Sequence, residues 1–317
     1  MKILVTGAAG YIGSAVCWKL LERGHRVVAL DNLKYGDFQA IPPSITFVNR
    51  DISSPSDQLA ILYALSECDA VCHLAAESLI PLSFEEPDLF WKVNVTGGLM
   101  LLDAMRRAGI KRIIYSSTSS VYHENQSMPL VEQSTVGPSS CYGASKLAFE
   151  QVLPWMRDLS WVAFRYFNVC GATDHCWERP YHRSRLIPVA LDTAFGRIPS
   201  PMPLNGTDYK ETQDHTCIRD FVHIEDIATA HCLALENPNI HGVFNLGIGN
   251  GYSNRQVIST VEQVSGRSIH IVERPRRPGD PPILVADATK AKLDLGWRPQ
   301  YTKLEHMIET CIKYERL

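Results

Sequence analysis

Residues 2–31, KILVTGAAGYIGSAVCWKLLERGHRVVALD, read as a strand, a helix and a second strand. The apolar run Ile3–Val5 predicts a short buried strand, and three closely spaced glycines then lead into a helix that ends at Gly24. A second apolar run, Val27–Leu30, closes on Asp31. One βαβ unit within about thirty residues is typical of a doubly wound parallel sheet that binds a dinucleotide.

Each part of this unit predicts a contact with such a ligand. Gly7 allows the tight turn, Gly10 lets the backbone approach a pyrophosphate, and Gly13 lets helix and strand pack closely. The helix N-terminus adds free N–H groups and a positive dipole. Because the Asp31 carboxylate accepts hydrogen bonds from ribose hydroxyls and repels a 2′-phosphate, the predicted cofactor is NAD rather than NADP.

Bulk composition excludes several other classes of protein. The chain has 317 residues, a net charge of −3 and no basic stripe, which argues against a nucleic-acid partner. No apolar run approaches the roughly 18 residues of a membrane span, so we expect a cytoplasmic protein. The nine scattered cysteines read as reduced thiols, and Cys68 and Cys72-His73 lie along an apparent strand, so no metal site is predicted.

Strand and helix patterns alternate along the chain. We predict strands over 45–48, 69–74 and 112–115, and helices over 58–66 and 84–108. This alternation indicates an α/β fold with a doubly wound parallel sheet, and the length exceeds one usual domain.

Two domains that share a cleft are therefore expected. Residues 1–172 are assigned to an NAD-binding domain and 173–317 to a smaller α/β substrate domain, with parts of 216–250 returning to the first domain.

A dense row of hydroxyl groups, 116–122, follows the strand that begins at Arg112. Its expected partner is the helix that opens with Tyr142 and runs to about Arg157, in which Lys146 lies one turn after the tyrosine on the same face. A tyrosine that acts as a base near neutrality needs its pKa lowered by roughly 3, or about 4 kcal/mol. A neighbouring ammonium and a positive nicotinamide ring both act in that direction.

The motifs together resemble the extended short-chain dehydrogenase/reductase family that acts on nucleotide sugars. In the N-terminal half these motifs are Gly7-x-x-Gly10-x-x-Gly13, Ser116-Ser117-Thr118, Tyr142-x-x-x-Lys146 and Arg165-Tyr166-Phe167-Asn168. The C-terminal segments 216–226, 245–247 and 276–280 are most similar to those of UDP-galactose 4-epimerases. The resemblance covers nearly the whole chain.

This resemblance implies an NAD-dependent UDP-sugar 4-epimerase that forms a homodimer. The implied catalytic residues are Thr118, Tyr142 and Lys146. The implied NAD site comprises Gly7, Gly10, Tyr11, Ile12, Gly13, Asp31, Asn32, Asp51, Ile52, Leu74, Ala75, Ala76, Asn94, Ser116, Tyr142, Lys146 and Tyr166. The implied UDP-sugar contacts are Ser119, Asn168, Arg185, Arg219, Arg277 and Asp280. The arginines suit this assignment because guanidinium groups bind phosphate bidentately.

Departures from the family pattern bear on the substrate. Ser78 stands where many of these epimerases have lysine, and its segment is closer to nucleotide-sugar dehydratases. Dehydratases, however, have Asp-Glu where this chain has Ser119 and Ser120, so dehydration lacks its acid and base. The basic segment that ends at Arg185 and includes Arg179, His182 and Arg183 reads either as an acceptor for a sugar carboxylate or as a solvated loop.

The expected reaction is interconversion of UDP-glucose and UDP-galactose through a 4-keto intermediate. Leu284 stands where a tyrosine in some epimerases narrows the pocket, which predicts some tolerance of N-acetylated UDP-hexoses. The alternatives are a UDP-glucuronate 4-epimerase and another NAD-dependent oxidoreductase acting on a nucleotide sugar.

Overall fold

A computed structural model describes residues 1–178, 185–277 and 279–314 of the chain. The strands are β1 Lys2–Thr6, β2 Arg26–Asp31, β3 Thr46–Asn49, β4 Ala70–His73, β5 Arg112–Thr118, β6 Ser160–Tyr166, β7 Asn168–Cys170, β8 Met202–Asn205, β9 Ile218–His223, β10 Gly242–Leu246, β11 Gly251–Ser253, β12 Ile271–Arg274 and β13 Ile283–Leu284. The helices are α1 Tyr11–Glu22, α2 Gln58–Leu65, α3 Ile80–Glu85, α4 Pro87–Phe90, α5 Gly98–Ala108, α6 Cys141–Val152, α7 Leu186–Ala194, α8 Ile224–Glu236, α9 Asn254–Ser265, α10 Thr289–Asp294 and α11 Leu304–Tyr314. Among these described residues, no helix is both long enough and apolar enough to cross a bilayer.

The larger sheet has seven parallel strands in the order β3-β2-β1-β4-β5-β6-β10 among the described segments, which confirms the predicted doubly wound fold. Alternate residues of β1 face opposite sides, as the two-residue period of a strand requires. Ile3 and Val5 join the core that contains residues of α1 and α8, whereas Leu4 joins the core under α2, α5 and α6. Both faces of the sheet are therefore covered, which explains the continuous apolar runs of these strands.

The C-terminal half contributes to the larger sheet, to a smaller sheet and to a separate parallel pair of strands, β8 and β12. The strand β10 lies beside β6 at one edge of the larger sheet, and α8 packs on α1 with an ion pair between Arg23 and Glu236 at 2.6 Å. A smaller sheet, in the order β11-β9-β13, also receives β7 beside β9. Since β7 follows β6 after one residue, the chain passes directly from the larger sheet to the smaller one at Phe167.

Three of the predicted elements have bounds that differ from the sequence prediction by more than two residues. The helix predicted over 84–108 is interrupted at Glu86 because Pro87 disfavours a helical conformation in the residue before it. It then continues through a π-helical stretch, Trp91–Gly97, into α5. The fifth strand extends through Thr118, three residues beyond its predicted end. The helix α6 ends at Val152, before a 3₁₀ turn that contains Pro154, rather than at Arg157.

Candidate active site

A glycine turn at the carboxyl end of β1 opens one wall of a cavity. Gly7 has a φ of +68°, and a Cβ there would lie 2.6 Å from the Ala75 nitrogen. A Cβ on Gly13 would lie 1.9 Å from the Gly7 oxygen, so both positions require glycine. The first helical bond of α1 runs from the Ser14 N–H to the Gly10 oxygen at 2.9 Å. The N–H groups before Ser14 thus precede the helical ladder, as a site for a pyrophosphate requires.

The acid at the end of β2 lies in the same cavity. The Asp31 carboxylate accepts hydrogen bonds from the Ala9 N–H at 2.9 Å and the Leu33 N–H at 2.8 Å. Burial raises the pKa of Asp31, and these hydrogen bonds partly oppose that rise. Beside it, the Asn32 amide donates to Asp51 at 3.0 Å. This end of the cavity therefore presents carboxylate oxygens that can accept from ribose hydroxyls.

The opposite end of the cavity is lined by the segment after β4 and by the start of α6. The Thr6 hydroxyl oxygen accepts the N–H groups of Leu74 and Ala75, both at 3.2 Å, which draws this segment against β1. Tyr166 closes the cavity floor; its hydroxyl group lies 2.8 Å from the His231 Nε2. Burial lowers the pKa of His231 to about 4, so this histidine is neutral and its Nε2 accepts a hydrogen bond from the Tyr166 hydroxyl.

Tyr142 and Lys146 project from the first turns of α6 into this cavity. The Ser140 hydroxyl oxygen caps α6 by accepting the Gly143 N–H at 3.1 Å. The Thr118 side chain interacts with the Tyr142 hydroxyl and acts to lower its pKa, and the Lys146 ammonium lies 4.6 Å from the centre of the Tyr115 ring. The cavity therefore joins the tyrosine and the lysine to the glycine turn and Asp31, whereas Thr118 acts on the tyrosine without lining the cavity.

The electrostatics of this group differ from the sequence expectation. Burial raises the pKa of Tyr142, although the Thr118 hydrogen bond and the charge of Arg185 both act to lower it. Burial lowers the pKa of Lys146 to about 7, against the opposing charge of Glu150. The expected lowering of the tyrosine pKa by the lysine is thus wrong for the protein alone, because desolvation outweighs the charges.

A buried ion pair that sequence reasoning missed anchors α6 to the sheet. The Glu150 carboxylate receives hydrogen bonds from the Arg165 guanidinium at 2.5 and 3.2 Å and from the Ser117 hydroxyl at 2.6 Å. Since Glu150 lies one turn after Lys146, this pair positions the lysine relative to β5. Ser117 and Arg165 lie near the ends of the neighbouring parallel strands β5 and β6, and this was the feature of the sequence that could have indicated the pair.

Asn94 lies behind the cavity wall, whereas the sequence assigned it to the NAD site. Its side chain accepts the Glu77 N–H at 2.8 Å and donates to the Glu77 oxygen at 3.0 Å and to the Ser145 hydroxyl at 2.9 Å. Val93, in the same π-helical stretch, lines the cavity instead. The amide is fully occupied in holding two other segments together, so its effect on a bound ligand is indirect.

The residues assigned to UDP lie mostly outside this cavity. Arg219, on β9, forms a short hydrogen-bonded ion pair with Asp280 and lies opposite Leu284 on β13. Arg277 and Asn168 are exposed. Ser119 is buried in a 3₁₀ turn that directly follows Thr118.

Arg185 is the one member of the predicted basic segment that falls within the described residues. It lines the cavity, and its Nε lies 3.5 Å from a carboxylate oxygen of Glu178, a buried residue that the sequence gave no signal for. Arg179, His182 and Arg183 lie outside the described residues.

Other cavity residues were also missed. They are Ala9, Leu30, Lys34, Tyr35, Gly36, Arg50, Glu77, Ser78, Leu79 and Val93. Lys34 to Gly36 directly follow the Asp31 position, so their place in the β2 loop was a usable signal. Gly36 approaches Ala9 so closely that a Cβ there would lie 2.6 Å from the Ala9 Cβ.

Comparison with known proteins agrees with this geometry. Residues 3–247 match the NAD dependent epimerase/dehydratase family. The chain belongs to this family.

A curated UDP-glucose 4-epimerase of Corynebacterium glutamicum is 39% identical over 316 residues, which span 98% of this chain and 94% of that protein. A crystal structure of a UDP-glucose 4-epimerase superimposes with a TM-score of 0.93 at 37% identity, covering 100% of this chain and 98% of the other. The Stenotrophomonas maltophila enzyme, crystallised with NAD and formylated UDP-arabinopyranose, has a TM-score of 0.93, 33% identity and the same coverage.

Proposed function

We propose that this protein is an NAD-dependent UDP-hexose 4-epimerase that interconverts UDP-glucose and UDP-galactose. The observation that carries the proposal is one cavity that is lined by Tyr142 and Lys146 together with a glycine turn and Asp31. Family membership and relatives named UDP-glucose 4-epimerase support it. NAD is the cofactor, and the Asp31 carboxylate supports NAD over NADP.

Tyr142 is the proposed base. Its hydroxyl removes the proton from the sugar O4, and Thr118 bridges the same hydrogen bond. NAD held at the glycine turn and Asp31 would supply hydride transfer at the sugar C4, and return of the hydride to the other face of the sugar would invert C4 without net oxidation. Lys146 would contact the nicotinamide ribose, and Thr118 and the charge of Arg185 oppose the rise in the Tyr142 pKa that burial causes.

The UDP half is proposed to bind along the smaller sheet. Arg219 and Arg277 supply guanidinium groups for the diphosphate, and Asn168, Asp280 and Ser119 supply polar contacts. Arg219 is held by Asp280, which keeps its guanidinium ordered before substrate arrives. A UDP-sugar bound in this way would extend from the smaller sheet toward Tyr142. Ser119, which directly follows Thr118 in the chain, would lie between them.

Neutral sugars are favoured over UDP-glucuronate. Arg185 is the described residue that could bind a sugar carboxylate, and it lies 3.5 Å from the buried Glu178. The negative charge of Glu178 already offsets the positive charge of Arg185. A second carboxylate in this place would meet Glu178 as well as Arg185.

The proposed assembly is a cytoplasmic homodimer. Trp91 and Leu99, on the continuous π-helical and α5 segment, are 42% and 43% exposed, and Phe84 is 50% exposed. Exposed apolar residues on one helical segment favour association with a second copy. Light scattering coupled to gel filtration measures the mass directly, and a mass of one chain would contradict the dimer.

The test of function uses purified protein without added cofactor. Incubated with UDP-galactose or UDP-glucose, it should produce the same equilibrium mixture from either side, read by NMR of the anomeric protons. The bound nucleotide, released by denaturation and identified by chromatography, should be NAD. Consumption of stoichiometric NAD during turnover would indicate a net oxidoreductase, and dependence on added NADP would contradict the cofactor assignment.

A further inference from the structure

The cavity is crossed by an ion pair that the mechanism above does not use. The Lys34 ammonium donates to a carboxylate oxygen of Glu77 at 2.6 Å, and both residues line the cavity. The Lys34 side chain is 40% exposed and the Glu77 side chain 5% exposed, so one partner is rigidly enclosed and the other faces solvent. These two residues are 43 positions apart and come from different loops.

The two loops flank the glycine turn. Lys34 lies in the loop after β2 and Glu77 in the segment after β4, and these strands pair with β1 from opposite sides. In sheets of this kind the ligand lies outside the carboxyl ends of the strands, with the pyrophosphate at the N-terminus of the helix after β1. A contact between the two loops therefore passes over the place where that pyrophosphate binds.

Both ends of the pair are held in place. The Asn94 amide fixes the Glu77 backbone through two hydrogen bonds, 2.8 and 3.0 Å long, and ties it to α6 through Ser145. On the other side, the Lys34 N–H donates to the Asn32 side chain at 3.0 Å. Partial burial lowers the pKa of Lys34, but its hydrogen bonds to Glu77 and Tyr35 outweigh this and raise the pKa, so the ammonium stays charged.

The enclosed Glu77 carboxylate needs the Lys34 ammonium as its counter-charge. A carboxylate as enclosed as Glu77 is costly beside a diphosphate unless a cation accompanies it. Lys34 supplies that cation, and its side chain remains 40% exposed. The pair thus adds closure over the ligand without leaving an uncompensated negative charge against the phosphates.

We propose that Lys34 and Glu77 form a strap over the cofactor pyrophosphate that slows the release of NAD. The proposal rests on the proposed function in one respect, because an epimerase that returns its hydride benefits from a cofactor that stays bound between turnovers. Asn94 acts here as a positioning residue, since it holds Glu77 in reach of Lys34.

The experiment measures release of NAD in the absence of any sugar. Protein loaded with radiolabelled NAD is chased with excess unlabelled NAD, and retained label is followed by filter binding. The variants are Lys34→Met, Glu77→Gln and the double variant. Each single variant should release NAD about tenfold faster, the effect of losing one charge-assisted hydrogen bond. The double variant should be no faster than the faster single, because both changes open the same contact.

Matched controls distinguish faster NAD release through loss of the strap from faster release through a general loss of protein stability. The Lys2–Glu67 ion pair, also 2.6 Å long, lies at the other end of β1, so Lys2→Met and Glu67→Gln should leave release unchanged. Lys34→Arg retains the charge and should restore slow release. Unfolding midpoints of the NAD-free variants show whether each protein is folded, and a poorly folded Lys34→Met is replaced by Lys34→Gln.

Three results would overturn the strap. These are release rates within about twofold of the parent protein, additive effects in the double variant, or acceleration by Lys34→Met with none by Glu77→Gln. The last result would mean that Lys34 contacts a phosphate by itself. Because no sugar is present, an incorrect substrate assignment leaves this test intact, whereas loss of all NAD binding by the parent protein would refute the proposed function instead.

Discussion

Replacing Lys146 with methionine is expected to stabilise the NAD-free protein, although it removes a residue to which the proposed mechanism gives a role. Lys146 is 2% exposed, and burial lowers its pKa from 10.5 to about 7. Since each pH unit corresponds to about 1.4 kcal/mol, holding the ammonium charged in this site costs about 5 kcal/mol. Methionine fills similar space without charge and so removes this cost. It also loses the contact between the ammonium and the Tyr115 ring, which reduces the gain in stability by about 2 kcal/mol.

The gain in the free energy of unfolding from Lys146→Met depends on pH in a defined way. Below pH 7 the lysine is charged in both the folded and the unfolded chain, so the full cost is present. Between pH 7 and 10.5 the folded protein releases the proton while the unfolded chain keeps it, so the cost declines and vanishes near 10.5. At pH 9 about 2 kcal/mol of the original cost should remain.

Urea unfolding of the NAD-free protein at pH 6.5 and pH 9, followed by tryptophan fluorescence, measures both values. We expect Lys146→Met to be about 3 kcal/mol more stable at pH 6.5, with a smaller gain at pH 9. Lys19→Met is the control, because hydrogen bonds to Glu22 and Glu225 outweigh partial burial and raise the pKa of Lys19, so its removal should bring no such gain. A Lys146→Met protein that is less stable at pH 6.5, or whose gain is equal at both pH values, would refute the reasoning.

Three further predictions concern catalysis and specificity. Tyr142→Phe keeps the ring against Phe90 but deletes the hydroxyl that Thr118 contacts, so epimerisation should fall about 10²- to 10⁴-fold while NAD stays bound; near-normal initial rates would contradict the proposed base. Leu284 is buried beside Val121 and Phe167, and Leu284→Tyr should lower the ratio of UDP-GlcNAc to UDP-glucose turnover about 10- to 200-fold, which corresponds to about 1–3 kcal/mol; an unchanged ratio means that this position is not the gate. Because Glu178 already accompanies Arg185, Arg185→Ala should reduce turnover of UDP-glucose and UDP-glucuronate equally, and a selective loss on UDP-glucuronate in the same kinetic comparison would establish a carboxylate site.

Much of the fold and half of the site could be predicted because the relevant interactions are local. The glycine turn, α1 and Asp31 lie within one βαβ unit, so spacing alone predicts their arrangement at the sheet edge. Tyr142 and Lys146 share a helix face for the same reason, since four residues make about one turn. The alternation of apolar runs was enough to predict a parallel sheet covered on both faces.

The remaining contacts join segments that are distant in sequence. The resemblance placed Asn94 in the NAD site, but only the folded chain shows that its amide forms hydrogen bonds with Glu77 and Ser145 instead of lining the cavity. The Lys34–Glu77 and Arg165–Glu150 pairs likewise depend on the order of the strands and on the placement of α6. No local pattern specifies which of many charged residues meet in this way.

The sequence by itself determined the chemical groups available to the site: a glycine turn, an acid at the end of β2, a tyrosine, a threonine and a lysine. Tertiary structure decided their protonation. Burial raises the pKa of Tyr142 and lowers that of Lys146 to about 7, because segments from other parts of the chain exclude water from both groups. Desolvation depends on everything that covers a side chain, and that set of neighbours exists only once the chain has folded.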